Sequence, residues 1–312
     1  MKRVLITCPP MLGQIDRFMG YAAERGLELV PAEVTQTLSE GELKEMLPEY
    51  DGWIIGDDPA TRAVFEAGKK GRLRAAVKWG IGVDNVDFDA CYELGIPIEN
   101  TPGMFGAEVA DVALAYVIGL ARQLFFIDRT IRIDNGWPKP AGISLAGRTA
   151  GVVGLGDIGR NTATRLLACG MSVIAYDPGV PGEGGLPGVA CVDWPSRIEE
   201  VDFLVFTCSL NNENRYMLNA RAIDLMKAGA YVINVARGPL IDEVALNNAL
   251  YAGHLAGAAL DVFEQEPLPA SSPLRGFPQC IVGSHNGSNT VDAVLRASHV
   301  AIDQLSISLV HI

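Results

Sequence analysis

Four charged side chains stand just past apolar runs, where a reactive group would sit. Arg237 follows Asn234-Val235-Ala236 and precedes Gly238. A charged residue at the C-terminal end of a parallel strand faces the ligand crevice. A guanidinium there clamps a carboxylate with two parallel hydrogen bonds; the plain alternative is a surface ion pair. Glu264 and Glu266 lie in Phe263-Glu264-Gln265-Glu266-Pro267, after the apolar run 258–262. Either is a possible proton partner, or simply solvated. His285 sits in Gly283-Ser284-His285-Asn286-Gly287, with no apolar periodicity around it and a glycine on each side. That context permits close backbone approach, and imidazole exchanges protons near neutral pH. The other histidines are plainer. His254 follows a helix end and is expected to be exposed, His299 falls within the terminal helix, and His311 is in the last residues. The four His and six Cys show no ligand spacing, so no metal site is expected.

A second constellation binds rather than reacts. The apolar run 150–153 leads into Gly154-Leu155-Gly156-Asp157-Ile158-Gly159 and then a helical segment. In such a turn the first glycine makes the bend, the second leaves room for a pyrophosphate, and the third packs helix against sheet. The phosphates then meet the N–H groups of the helix start. Asp177 ends the next apolar run, about 20 residues further on, where a carboxylate accepts from a ribose 2′-hydroxyl and repels a 2′-phosphate. NAD is therefore expected, in preference to NADP.

Positioning these groups requires a framework, and the apolar pattern supplies one. Strand-like runs fall at 4–7, 27–30, 52–55 and 75–79, then at 150–153, 172–176, 203–206, 231–235, 258–262 and 280–282. Helical segments lie between them, including 15–25, a stretch opened by a capping box of Ser39 and Glu42, and a dense apolar segment over 108–123. Alternation at this spacing implies parallel sheets in an α/β fold. Residues 103–284 read as one doubly wound domain. The polar stretch 134–142 reads as a connector or surface arm, and 291–309 as a last helix that returns to the first domain.

Composition narrows the function classes. At 312 residues the chain is long enough for two domains. A net charge of −12 opposes binding to a phosphate backbone, so no nucleic-acid role is expected. No apolar run reaches the roughly 18 residues of a membrane span; residues 109–120 come closest and contain Asp111. No signal-type region follows Met1, because Pro9 and Pro10 interrupt the first apolar run, and the six cysteines are widely spaced. A cytoplasmic protein with reduced thiols is the expectation.

Taken together, the chain resembles the D-isomer-specific 2-hydroxyacid dehydrogenase family, in its phosphoglycerate dehydrogenase-like branch. The motifs in common run from Gly80-Ile81-Gly82-Val83-Asp84-Asn85-Val86-Asp87 through Asn100-Thr101-Pro102-Gly103, Glu108, the glycine loop and Tyr176-Asp177-Pro178 to Asn234–Gly238, Leu260-Asp261-Val262-Phe263 and Glu266-Pro267. The resemblance implies that Arg237 binds the substrate carboxylate and 2-oxygen. It makes His285 the acid/base and Glu266, rather than Glu264, its partner, raising the pKa of the ring towards working pH. It groups Lys78, Ile81 and Gly82 with Arg237 around a 2-hydroxy acid. It places Thr101, Gly154, Gly156, Asp157, Ile158, Gly159, Asp177, Cys208, Ala236, Asp261 and Gly287 along NAD. The implied architecture is two Rossmann-like or flavodoxin-like parallel-sheet domains. The doubly wound NAD domain, 102–285, is inserted into a split substrate domain, 1–101 with 286–312. Hinge closure over the ligand and a homodimer through the NAD domain and the 134–142 arm are implied as well.

The chain also departs from the family. Gly283-Ser284 stands for Thr-Pro before the histidine, Asn286-Gly287-Ser288 for Ile-Gly-Gly after it, and in Cys208-Ser209-Leu210-Asn211 near the adenine Ser209 takes the proline position of the family's Pro-Leu-Thr. These bear on cofactor affinity and loop rigidity more than on the chemistry. For the substrate, a cation at Lys78 corresponds in phosphoglycerate-using relatives to a contact with the distal phosphate, and Lys139 loosely matches a cation given across the dimer. The expectation is therefore 3-phosphoglycerate or a similar polar acid. A hydroxypyruvate or glyoxylate reductase is the alternative, and an NAD-binding corepressor or scaffold is a further one of a different class.

Overall fold

The computed structural model describes residues 1–180 and 185–310. The chain forms two compact units, Met1–Phe105 with Ser288–Ile312, and Gly106–Gly287. The crossings thus fall a few residues beyond the expected 101/102 and 285/286. His311 lies outside the described residues.

The first unit is built on five parallel strands: β1 (Lys2–Ile6), β2 (Leu27–Pro31), β3 (Gly52–Ile55), β4 (Ala75–Lys78) and β5 (Ile98–Asn100), in the order β2-β1-β3-β4-β5. Every residue of β3 and β4 is buried, as in a parallel sheet covered on both faces. One face packs Leu5, Trp53 and Ile55 against Leu43, Val64 and Phe65. The other receives the C-terminal helix Val291–Val310: a Cβ on Gly52 would meet Leu305 and Leu309 at 3.0–3.3 Å, and Trp79 Nε1 donates to Ser298 Oγ at 3.1 Å. The capping box forms as read. Ser39 Oγ accepts from the Glu42 amide at 3.3 Å, and Glu42 accepts from the Ser39 amide at 2.8 Å. Strand β5 escapes the sequence reading because Ile98-Glu99-Asn100 is short and carries one apolar residue.

The second unit has seven parallel strands: β6 (Thr149–Val153), β7 (Ser172–Tyr176), β8 (Val189–Cys191), β9 (Phe203–Phe206), β10 (Ala230–Asn234), β11 (Leu255–Leu260) and β12 (Cys280–Val282). Their order, β12-β11-β10-β9-β6-β7-β8, is doubly wound and reverses between β6 and β9. β8 is only three residues long and carries no alternation to read. The segment expected as one helix over 108–123 is two: Gly106–Arg122, then Leu124–Ile133, bent by 69°. The break falls at Gln123, with φ 54° and no proline or glycine to announce it. No single described helix is long and apolar enough to cross a membrane. Residues 135–144 form no regular element. All six cysteines are free thiols.

Candidate active site

In the second unit, the glycine loop occupies the switch point of the sheet, where ligands of open α/β folds bind. Gly154 follows β6 at φ 92°, and a Cβ there would strike Cys208 Cα at 2.6 Å, just past β9. A Cβ on Gly159 would run into the Gly154 carbonyl. Thr207 Oγ1 is shared between the carbonyls of Val153 (3.0 Å) and Gly154 (2.8 Å) and fixes the bend. These two glycines are required by the fold itself. Gly156 is different: nothing lies within 4 Å of the position a Cβ would take. It caps the helix Asp157–Ala168, which opens with Asp157 and Ile158 and whose first amides have no partner within the helix. A cradle that the protein leaves open at a helix start fits a dinucleotide pyrophosphate.

The acid at the end of β7 is already held. Asp177 Oδ2 accepts from the Leu155 amide at 2.6 Å and Oδ1 from the Gly179 amide at 2.8 Å. The carboxylate is thus fixed beside the glycine loop. Burial pushes the Cys208 thiol up to about 12, and its backbone lies close beside Gly154.

Beyond β10, β11 and β12 the charged groups assemble. Asn234 is buried; its Nδ2 donates to the Arg237 carbonyl at 2.8 Å and its Oδ1 accepts from the Ala236 amide at 3.0 Å. This closes the turn that presents Arg237, whose guanidinium also donates to the Ala236 carbonyl at 2.8 Å. Gly238 then packs so close to Phe263 and Glu264 that no side chain fits. His285 Nδ1 meets Glu266 Oε2 at 2.7 Å, with both side chains about one-fifth exposed. Glu266 Oε1 accepts from the Phe263 amide at 2.9 Å, which aims the carboxylate at the ring. Glu264 points elsewhere. It and Glu243 each accept the other's backbone amide, at 2.9 and 2.7 Å, and Tyr216 donates to Glu264 at 2.9 Å. Burial pushes the Glu243 carboxyl up, and the charges of Glu264 and Glu266 add to the effect.

Asp261 acts as the fastening point. Its main-chain carbonyl accepts from the His285 amide at 2.7 Å, and its carboxylate accepts from Gly287 (2.8 Å) and from Tyr116 Oη (3.1 Å). A Cβ on Gly283 would collide with Asp261 and Tyr116, so glycine is needed there. His285 itself is held at φ 54°, a conformation uncommon for residues other than glycine. Tyr116 was not legible as a site residue: it lies in an apolar helix, and only the fold brings its hydroxyl to Asp261. His254 Nε2 pairs with the Ile223 carbonyl at 2.9 Å and is only half-exposed, so it differs from the solvent position expected. His299 stacks on Tyr21 at 4.0 Å.

In the first unit, the Gly80–Asp87 loop follows β4 with Ile81 exposed and Gly80 at φ 134°. Thr101, fully buried, accepts from the Gly80 amide at 2.8 Å and so braces this loop. Lys78 is not a solvated strand end. It is 1 % exposed, and its ammonium donates to the Gly56 carbonyl and to Asp57 Oδ1 at 3.0 Å. Lys139 is exposed on the 135–144 segment. Among the described residues no His, Cys, Asp and Glu group is arranged to hold a metal.

A doubly wound sheet with an open glycine cradle, an acid at the next strand end and a carboxylate-paired histidine defines a nicotinamide-dinucleotide oxidoreductase. Comparison with known proteins narrows this class. The model of the D-isomer specific 2-hydroxyacid dehydrogenase NAD binding domain matches residues 114–287. The chain is 36% identical over 281 residues to hydroxypyruvate reductase of Thermotoga maritima, covering 88% of this chain and 90% of that one. It is 35% identical over 284 residues to D-3-phosphoglycerate dehydrogenase of Methanocaldococcus jannaschii, covering 89% of this chain but 53% of that one. The chain thus spans about half the length of the phosphoglycerate dehydrogenases it matches. A crystal structure of a Thermus thermophilus protein superposes with a TM-score of 0.86 at 32% identity, covering 99% of this chain and 97% of that one. The chain belongs to the D-isomer-specific 2-hydroxyacid dehydrogenase family, with NAD as its cofactor.

Proposed function

We infer that the protein interconverts a short D-2-hydroxy acid and its 2-keto acid, with His285 as acid/base, Arg237 as carboxylate anchor and Glu266 as the partner that positions the ring. The observation that carries this reading is the 2.7 Å contact of His285 Nδ1 with Glu266, on a loop packed against the Arg237 turn at Gly238. NAD, when bound, supplies the hydride acceptor or donor. Glu266 accepts from Nδ1–H, so Nε2 is the ring atom for proton exchange with substrate. In oxidation Nε2 takes the hydroxyl proton; in reduction the charged ring returns it. The neighbouring carboxylate favours that charged form. Arg237, always positive, aligns carboxylate and carbonyl.

Two kinds of substrate fit the family, a phosphorylated hydroxy acid and a small unphosphorylated keto acid. 3-Phosphoglycerate follows from the cation at Lys78, and hydroxypyruvate or glyoxylate from the similarity to a reductase along 90% of its length. NADH absorbance is the test, with 3-phosphoglycerate and NAD in one arm and hydroxypyruvate, glyoxylate or 2-oxoglutarate and NADH in the other. Saturable turnover in either arm is the expected result. Turnover with none of these acids would overturn the enzyme reading and favour a scaffold.

Self-association through the second unit is part of the same reading. The helix Leu124–Ile133 buries no residue and exposes Leu124, Phe125 and Ile133, and Trp137 beyond it is 77% exposed. Apolar surface of this kind marks an interface. Light scattering is expected to give twice the 33.3 kDa chain mass; a monomer at micromolar concentration would refute it.

A further inference from the structure

Within the second unit, Tyr116 is the odd residue of its helix. The other buried positions of Gly106–Arg122 are aliphatic side chains and glycines, and a phenylalanine would fill nearly the same space at position 116. A buried hydroxyl costs free energy unless it is hydrogen-bonded, so its partner shows what it is for. That partner is the buried carboxylate of Asp261, whose Oδ1 accepts from Tyr116 Oη at 3.1 Å. Burial, and then the charge of Asp261, push the phenol well above its usual range, so it stays a donor. The family resemblance places Asp261 along NAD and gives Tyr116 no part.

Bonds at both ends fasten the loop that carries His285. The Gly283 amide donates to the Leu260 carbonyl at 2.7 Å, and the His285 amide to the Asp261 carbonyl at 2.7 Å. Both run from backbone to backbone. The bond at the far end differs: the Gly287 amide donates to Asp261 Oδ2 at 2.8 Å, so it depends on which way the carboxylate is turned. With Oδ1 held by Tyr116, Oδ2 is left facing Gly287. The loop also runs directly over the pair, because a Cβ on Gly283 would collide with Asp261 Oδ1 and with Tyr116 Oη. Between these fastenings His285 keeps φ 54°, a conformation that persists where the surroundings over-determine it. From that backbone its Nδ1 meets Glu266 at 2.7 Å.

We propose that Tyr116 is a positioning residue: by fixing the Asp261 carboxylate it holds the 283–287 loop, and with it the His285 ring, in the geometry that exchanges the substrate proton. The proposal rests on the acid/base reading of His285 above, and the test separates the two. The wild-type protein, Tyr116→Phe and Gly283→Ala are compared in two measurements. One is steady-state kinetics with whichever of the acids named above the wild type turns over. The other is hydrogen–deuterium exchange of the backbone amides, read peptide by peptide by mass spectrometry. Tyr116→Phe is expected to lower kcat by about tenfold, with the KM for the acid within about threefold, because lost alignment is felt in the transition state. Exchange of the 283–287 amides is expected to quicken by about tenfold or more, while those of β6, β9 and β10 keep wild-type rates. Gly283→Ala, which crowds the pair from the loop side, is expected to quicken the same segment. In the double variant the two losses in kcat are expected not to multiply, since both act through Asp261. A wild-type kcat in Tyr116→Phe overturns the proposal. So does exchange that is unchanged at 283–287 or quickened throughout the second unit, the mark of a hydroxyl that only stabilises the fold. Losses that multiply put Tyr116 on a separate route and overturn it as well. The Tyr116→Phe measurements decide the matter even if Gly283→Ala does not fold. Absence of wild-type turnover with all the acids overturns the acid/base reading and this proposal with it, whereas wild-type turnover matched by Tyr116→Phe overturns this proposal alone.

Discussion

Replacement of His285 by Asn is expected to lower kcat by about 1,000-fold or more in both directions while NADH binds within about threefold of the wild-type affinity. The loss is large because one side chain supplies the proton route, with its ring held by Glu266 at 2.7 Å. Glu264, the other acid of the loop, is committed to the Glu243 and Tyr216 contacts and is not placed to substitute. Asn is a better replacement than Ala for a backbone reason. His285 sits at φ 54°, and Asn tolerates the left-handed region that Ala resists. The His285 amide bond to the Asp261 carbonyl then survives in the variant. Steady-state kinetics with NADH fluorescence titration provides the check. Ordinary turnover would remove His285 from the mechanism, and a parallel loss of NADH affinity would make its role structural. Glu266→Gln is expected to do less, and to move the pH limb of keto-acid reduction to lower pH. Without the carboxylate the charged ring is less favoured, so reduction needs more acid to populate it, while oxidation, which uses the neutral ring, extends downward.

Gly156→Ser is expected to weaken NADH binding by about 10- to 100-fold, the equivalent of about 1–3 kcal/mol of overpacking, and to leave unfolding by urea nearly unchanged. Three observations support that separation. The added Cβ meets no protein atom within 4 Å, the backbone at φ −71° is open to any residue, and serine is a favoured cap for the helix that Gly156 begins. The fold therefore accepts the side chain, and only the ligand space is lost. Gly159→Ala is the contrasting case. Its Cβ runs into the Gly154 carbonyl, so the helix must shift away from the sheet, at a cost of about 1–3 kcal/mol in the urea transition. NADH affinity retained in Gly156→Ser would remove this loop from the cofactor site.

The dinucleotide loop was legible in the chain because every part of it is local: an apolar strand, glycines at short spacing and an acid at the next strand end. The proposed catalytic trio was less so. Arg237, Glu266 and His285 end different strand-associated segments, and the residues alone did not choose between Glu264 and Glu266. The choice is made by one contact between residues 21 apart and one within the turn itself. Glu264 exchanges hydrogen bonds with Glu243, and the Phe263 amide turns Glu266 towards the ring.

Local periodicity and steric rules determined the two parallel-sheet units, the capping box, most strands and the need for glycine at the nucleotide turn, since each follows from residues near one another along the chain. Short β5 and β8, the bend at Gln123, the Tyr116–Asp261 bond and the pairing of Lys78 with Asp57 were decided by the tertiary structure. In the last case β3 and β4 lie side by side, so a lysine that reads as an available cation meets a carboxylate more than a helix away in sequence. Charge at a site depends on what adjacent strands bring to their shared end, and strand adjacency is a property of the folded sheet, set by the packing of both faces rather than by any one segment.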